Sequence, residues 1–403
     1  DKYFKMPKIV IAVTGSAGKG STTTIIADTL RKSGLTVSHN KFGSNMLPGI
    51  LSLLISSSDL SGNIKTDALV LEVDERYTKK VFTLTKPEYV VITNICRDQP
   101  PRHGHVDLVF EKIKEALNDN MHLILNADDP YLQKFNLDNK YKVTYYGISN
   151  NKYTYKNNKF NNINMYYCPR CMKKLKYNYY HFEATGDYYC DCGFKRPNID
   201  YYATNINLDK SIMTINNKYD INISFNVLYY AYNILASYSV CKLVGLDESD
   251  ISKYISSMEN NKKLNDSYKY KNRCVYVMNN KNENSTTFNE SVLFTENHKT
   301  KRTIVIGWKE ISRRYEFNDM SWLYDIEFEL LNTKYTDKVI CVGRDKYSIA
   351  TRMKYAGFSD DKIRVYDTLE DAEKMIKDKS KGDIFAILNF DYVKPFNEMM
   401  GRD

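Results

Sequence analysis

Lys8-Ile9-Val10-Ile11-Ala12-Val13-Thr14-Gly15-Ser16-Ala17-Gly18-Lys19-Gly20-Ser21-Thr22 is the stretch whose reading decides the fold. Its first residues are mostly β-branched and apolar, which predicts a short buried strand. Thr22 to Lys32 then carries Ile25, Ile26 and Leu30 at helical spacing. A strand that runs through a glycine turn straight into a helix surrounds that turn with backbone N–H groups and the positive end of the helix dipole. That arrangement holds a triphosphate such as ATP. Gly15, Gly18 and Gly20 would let the backbone approach it, and Lys19 would meet the β- and γ-phosphates. Ser21 or Thr22 would supply a hydroxyl to Mg²⁺. The usual pattern has a further glycine five residues before Gly18, where Val13 stands, so the loop is a shortened G-x-x-G-K-G-S form. A glycine turn without ligand is the alternative.

Similar apolar runs at Ala68 to Val73, Tyr89 to Thr93 and His122 to Asn126 alternate with helix-like stretches such as Val106 to Leu117. This order predicts an α/β fold with a parallel sheet covered on both faces. Glu72 and Asn94 then fall at the carboxyl edge of the sheet, where open parallel sheets bind ligands. Glu72 is the expected Mg²⁺ ligand, with a solvated or capping carboxylate as the alternative. From Ser224 to Leu246 the spacing of Leu228, Ala231, Leu235 and Leu243 predicts an amphipathic helix. A polar break at Glu259 to Lys269 follows. Beyond it, Cys274 to Met278, Thr303 to Gly307, Lys338 to Val342, Lys362 to Tyr366 and Asp383 to Leu388 read as five strands. The expected organisation is a central ATP-binding domain over 1–262 and a C-terminal Rossmann-like α/β domain over 263–403.

The 403 residues carry 58 Lys+Arg against 49 Asp+Glu, for a net charge of +9, spread without a basic block. A surplus that diffuse suits anionic metabolites as well as nucleic acid, and no nucleic-acid partner is expected. The apolar runs are too short to span a bilayer. The N-terminal residues lead almost at once into the first strand, leaving no room for a signal peptide, so a cytoplasmic location is expected. Cys168-Pro169-Arg170-Cys171 and Cys190-Asp191-Cys192 form two knuckles, while Cys96, Cys241, Cys274 and Cys341 stand alone in largely apolar contexts. Clustered thiols in a cytosolic chain suit tetrahedral Zn²⁺, and a closed set of four leaves no position for substrate, so the expected role is structural. The module inserted at about 165–197 is therefore expected to be a zinc ribbon. Free reduced thiols and an iron–sulfur centre are the alternatives.

Several motifs resemble the Mur ligase superfamily, and within it the MurT family of ligase-like subunits. Gly43 to Ile50 is similar to G-A-N-M-x-x-G-I, Leu71 to Glu75 to L-E-V-D-E, and Val91 to Gln99 to V-V-T-N-I-F-R-D-Q. Leu125 to Pro130 matches again, and Asp319 to Asp325 resembles D-V-S-W-I-W-D. The resemblance implies an ATP-dependent carbon–nitrogen ligase, bound to Mg²⁺ and Zn²⁺, that amidates the D-glutamate α-carboxyl of lipid II. It also implies a GatD-like glutaminase partner and a lipid-linked cell-wall precursor met at the inner membrane surface. Carried over by position, Lys19, Ser21 and Thr22 hold phosphate and metal, Glu72 holds metal, and Asn233 contacts nucleotide. Asp319, before Asp325, would orient the partner's catalytic histidine; its alternative is a helix N-cap.

A self-sufficient amidotransferase needs an activated cysteine with a histidine in reach. Here one set of cysteines is expected on metal and the other lacks such a histidine, so ammonia is expected from a partner. The sequence departs from the family at Pro101 and His105, where carboxylates are expected, at Asn282 to Asn289, and between Trp308 and Asn318. His103 and His105 are solvent-facing loop residues or, alternatively, catalytic. The departures keep two other readings open: a stand-alone Mur or folylpolyglutamate-type amino-acid ligase, and an ATP-binding scaffold that has lost turnover.

Overall fold

The structure, a computed structural model, describes residues 4–41, 43–99, 104–161, 165–208, 210–222, 228–258, 265–281, 283–310 and 319–402. The chain packs as two units. One comprises Asp1–Cys96, His105–Asn158 and Ile163–Asn260; the other comprises Arg97–Gly104, Lys159–Asn162 and Asn261–Asp403. The boundary expected at 262/263 lies outside the described residues.

In the first unit the strands are β1 (Ile9–Thr14), β2 (Val37–His39), β3 (Ala68–Glu72), β4 (Tyr89–Ile92), β5 (His122–Asn126) and β6 (Lys142–Ile148). They continue with β7 (Lys176–Phe182), β8 (Thr185–Tyr189), β9 (Tyr201–Asn207), β10 (Ile212–Ile215) and β11 (Tyr219–Asn222). Among the described residues nine of them form one sheet, ordered β11-β10-β9-β6-β5-β4-β1-β3-β2. From β2 across to β9 every pairing is parallel, and the β9-β10-β11 meander is antiparallel. The central strands are buried on both faces, which is why they read as unbroken apolar runs rather than alternating ones.

Helices α1 (Lys19–Lys32), α2 (Leu47–Ser57), α3 (Thr78–Thr85), α4 (Val106–Lys114), α5 (Tyr229–Leu243) and α6 (Glu248–Ser256) cover this sheet. The helix expected over Ser224 to Leu246 is α5, with 223–227 outside the described residues. It is not amphipathic: every residue from Tyr230 to Cys241 is buried. It lies between α1 and the strands β5, β6 and β9, so no face is left for water and its pattern carries no stripe. Between β6 and its parallel neighbour β9 the chain leaves the sheet through residues 149–200. That excursion contains the antiparallel β7-β8 hairpin, with the cysteine knuckles on either side of it.

The second unit carries β12 (Asn265–Tyr270), β13 (Arg273–Asn280), β14 (Arg302–Trp308), β15 (Thr336–Gly343), β16 (Ile363–Tyr366) and β17 (Asp383–Asn389). Among the described residues these form a six-stranded sheet ordered β12-β13-β17-β14-β15-β16. All pairings are parallel except that of β12 with β13. Ile304, Ile306 and Trp308 face one core, with α7 (Ser285–Asn297) and α8 (Lys346–Tyr355). Val305 faces the other, with α9 (Leu369–Lys374) and α10 (Phe390–Met399). Five strands are expected from the sequence and a sixth, β12, is present. Its Asn-Asp-Ser-Tyr-Lys-Tyr composition reads as a break because an edge strand buries little. No helix among the described residues is long and apolar enough to cross a membrane.

Candidate functional site

In the first unit, Gly15 and Gly18 adopt φ of 118° and 84°, the left-handed region that other residues avoid. Both are also closely approached. A Cβ at Gly15 would overlap Thr93 Oγ1, and one at Gly18 would overlap the Asn233 side-chain oxygen. The loop is clamped from the end of β4: the Ala17 N–H donates to Asn94 Oδ1 at 3.0 Å, while Asn94 Nδ2 and Thr93 Oγ1 each donate to Ala17 O at 2.7 Å. Asn94 Nδ2 also donates to the Tyr229 hydroxyl. A hydrogen bond links Ser21 to Tyr230. Asn94 thus shapes the loop, and Asn233 and Tyr230 place α5 against its helical side.

Lys19 Nζ donates to Glu75 Oε1 at 2.7 Å and to Gly15 O. Glu75 is buried on the turn after β3, which Asp74 caps by accepting from the Arg76 N–H at 3.1 Å. Glu72 Oε1 accepts from Asn45 Nδ2 at 2.9 Å. The missing side chain at Gly20 makes room for it, since a Cβ there would stand 3.1 Å from Glu72 Oε2. The Thr22 hydroxyl is fully buried with no partner among the described residues. Glycines that a Cβ would fill, an orphaned hydroxyl, a lysine and two carboxylates at the head of a helix fit a Mg²⁺-nucleotide. The sequence reading missed Glu75, although it lies in the quoted L-E-V-D-E motif, because nothing local marks it as the partner of Lys19.

The sulfurs of Cys168, Cys171, Cys190 and Cys192 lie within 4.8 Å of one another. Cys171 and Cys190 are 3.4 Å apart, and Cys168 and Cys192 are 3.5 Å apart. A tetrahedral Zn²⁺ with thiolate bonds of about 2.3 Å would space its sulfurs by about 3.8 Å, so the donor set fits a closed tetrahedral ion. Phe194 stacks on Tyr188 beneath the cluster. Arg196, just beyond it, reaches the buried Asp128, which follows β5: Nε donates to Oδ1 at 2.7 Å and Nη2 also reaches that carboxylate. The other oxygen, Oδ2, accepts from the Ile148 N–H at 2.7 Å and the Tyr232 hydroxyl at 2.8 Å. Buried His181 donates Nε2–H to Ile148 O at 2.8 Å, and burial lowers its pKa.

In the second unit, the Arg-Asp pair after β4 meets the C-terminal motifs. Arg97 donates to Asp325 and to Ser321 Oγ, each at 2.6 Å. Asp98 accepts from Lys281 at 2.5 Å and from Asn284 Nδ2 at 3.0 Å. Asp319 accepts from the Ser321 N–H at 2.8 Å but does not cap the Ser321–Asp325 turn, whose cap position is Met320; the Ser321 hydroxyl, helped by this N–H, holds its carboxyl below the usual range. Burial raises the Asp325 carboxyl despite Arg97. Burial, with the charges of Asp98 and Asp319, pushes Glu283 up to about 7. His103, Pro100, Pro101, Asn282 and 311–318 lie outside the described residues. His105 is exposed and caps α4, accepting from the Asp107 N–H at 3.3 Å.

Residues 13–169 match the Mur ligase middle domain family, and residues 282–392 match the MurT ligase C-terminal family. The lipid II isoglutaminyl synthase (glutamine-hydrolyzing) subunit MurT of Staphylococcus aureus is 29% identical over 396 residues, covering 98% of this chain and 87% of that one. The MurT subunit of Streptococcus pneumoniae is 25% identical, covering 97% and 87%. Among solved structures, a pseudomurein peptide ligase type C from Methanothermus fervidus superposes with a TM-score of 0.74 at 22% identity, covering 99% and 79%. A MurF ligase from Thermotoga maritima in complex with ADP gives 0.60 at 18%, covering 98% and 80%. The chain is thus similar to the MurT subunits over nearly its whole length, and it is an ATP-dependent ligase.

Proposed function

We infer that the chain is the ligase subunit of an enzyme that amidates the α-carboxyl of D-glutamate in the stem peptide of lipid II, giving D-isoglutamine. The observation that carries this reading is the coincidence, in one chain, of the phosphate loop with a C-terminal motif whose carboxylates are set by Arg97. Bound Mg²⁺-ATP supplies a phosphoryl group that turns the carboxylate into a mixed anhydride, from which ammonia displaces inorganic phosphate. Lys19, released from Glu75, neutralises phosphate charge at the loop. Ser21, Thr22 and Glu72 hold the metal, while Asn94 and Asn233 keep the loop in register. The zinc of the cysteine module is structural and lends folding energy to a hairpin with little core of its own.

Ammonia comes from a GatD-like glutaminase. Among the thiols outside the cluster, burial pushes Cys241 and Cys341 up to about 12, which leaves them poor nucleophiles. Asp319 and Asp325 are the residues offered to that partner. A second reading, a ligase that joins a free amino acid without a partner, is favoured by the changes at Pro101, His105 and Asn282 to Asn289. ATP turnover with a lipid-linked stem peptide, comparing ammonium with free amino acids and following product mass, separates the two. A one-dalton decrease with ammonium is expected. A product heavier by an amino-acid residue would replace the first reading with the second.

A further inference from the structure

Asp128 joins two parts of the first unit that are remote in sequence. On one side its backbone carbonyl accepts from the Gly186 N–H of β8 at 2.9 Å, and its carboxylate takes Arg196 from the end of the cysteine module. On the other it accepts from Tyr232 of α5. A carboxylate offers about four lone-pair sites. Arg196 Nε, the Ile148 N–H and the Tyr232 hydroxyl donate to it, with Arg196 Nη2 in ion-pair contact, in a place where the Asp128 side chain has no exposure. Moving Arg196 would leave a buried charge short of donors, which is costly, so its position and that of Tyr232 are set together.

The residue after Tyr232 is Asn233, whose side-chain oxygen lies against Gly18. One turn further, Ser237 Oγ donates to Thr22 O at 3.3 Å. A second path runs beside the first: Phe182 of the hairpin packs edge-on against Tyr229, 6.1 Å between centroids, and the Tyr229 hydroxyl receives the Asn94 amide that clamps Ala17. Helix α5 is therefore held by the cysteine module and in turn holds the phosphate loop.

We propose that Asp128 and Tyr232 are positioning residues that couple the cysteine module to the phosphate loop, so that Zn²⁺ at the four thiolates and Mg²⁺-ATP at the loop strengthen each other's binding. This rests on the reading of the loop as a nucleotide site and of the cluster as a zinc site. Coupling of this kind is reciprocal, and one factor describes both directions.

The test uses the full chain loaded with zinc. Zinc release to a pyridylazo dye is timed with and without Mg²⁺-ATP, and Mg²⁺-ATP affinity is measured by calorimetry before and after chelation. Mg²⁺-ATP is expected to slow release at least about fivefold, and chelation to weaken nucleotide binding by a similar factor. Lys19→Ala should abolish the slowing, which shows that ATP is not itself competing for zinc. Tyr232→Phe should keep zinc and fold while the coupling factor drops towards one; a module that only stabilises the fold would leave that factor unchanged. If chelated protein unfolds, the release arm decides alone. Mg²⁺-ATP that binds the loaded chain without altering zinc release overturns the coupling but leaves the nucleotide site standing. A Tyr232→Phe variant with the full factor overturns the assignment of Asp128 and Tyr232 as the residues that carry the coupling. A loaded chain that binds no Mg²⁺-ATP removes the nucleotide reading itself, and one that retains no zinc removes the zinc site; either overturns the proposal.

Discussion

Among the described residues of the first unit, two ion pairs look alike in their distances and differ in kind. Lys19 meets Glu75 as a single point charge on a flexible stem, at the head of a helix that favours an anion. Arg196 meets Asp128 as a planar fork, and the carboxylate it joins also accepts from a backbone N–H and a tyrosine. A lysine ammonium can exchange one anionic partner for another at little geometric cost, whereas a forked guanidinium in such a site cannot. If the loop binds phosphate as proposed, the first pair would open when it arrives, and the second would stay closed.

Three substitutions press on this contrast. The largest effect is expected from Asp128→Ala, which leaves the part-buried Arg196 without its partner and should lower unfolding free energy by about 3 kcal/mol, read by denaturant titration. A loss under about 1 kcal/mol would show that the two pairs are equivalent after all. Next, Lys19→Ala should reduce ATP-dependent turnover at least about 100-fold while destabilising the chain less than Asp128→Ala does. Normal turnover would remove the loop from the mechanism.

The smallest effect concerns Asp129, beside the second pair, whose carboxyl burial pushes up to about 7. A carboxyl with a folded pKa above its unfolded value of about 4 takes up a proton on folding. Its contribution is therefore greatest below about pH 4 and declines as pH rises to about 7. Asp129→Asn should flatten the fall in melting temperature across that window. An unchanged slope would place the titration elsewhere.

The parts of this fold that the sequence made legible are those where local pattern and burial agree. His122 to Asn126 is expected and found as β5 to the residue, and β1, β3 and β4 differ only at their ends, because strands buried on both faces are written as continuous apolar runs. The edge strand β12 and the β9-β10-β11 meander, rich in Asn, Lys and Tyr, carry no such run. The same divide holds for the site. Lys19 and the four cysteines announce themselves by spacing, whereas Glu75 and Asp128 owe their surroundings to residues 56 and 68 positions away, Lys19 and Arg196. A single sequence holds no trace of such a pairing.

The placing of the module between β6 and β9 also bears on how the sheet is assembled in time. These neighbours are parallel, and their ladder closes only after the chain has travelled through residues 149–200 and returned. The entropic cost of closing such a loop grows with its length, by roughly 0.6 kcal/mol per doubling. A clip between Cys168 and Cys192 removes the middle of that path from the search and brings Tyr201 nearer to Tyr146 before any ladder bond forms. Metal supply would then act on the rate at which the last third of the first sheet is laid down, as a matter of kinetics rather than of the finished contacts.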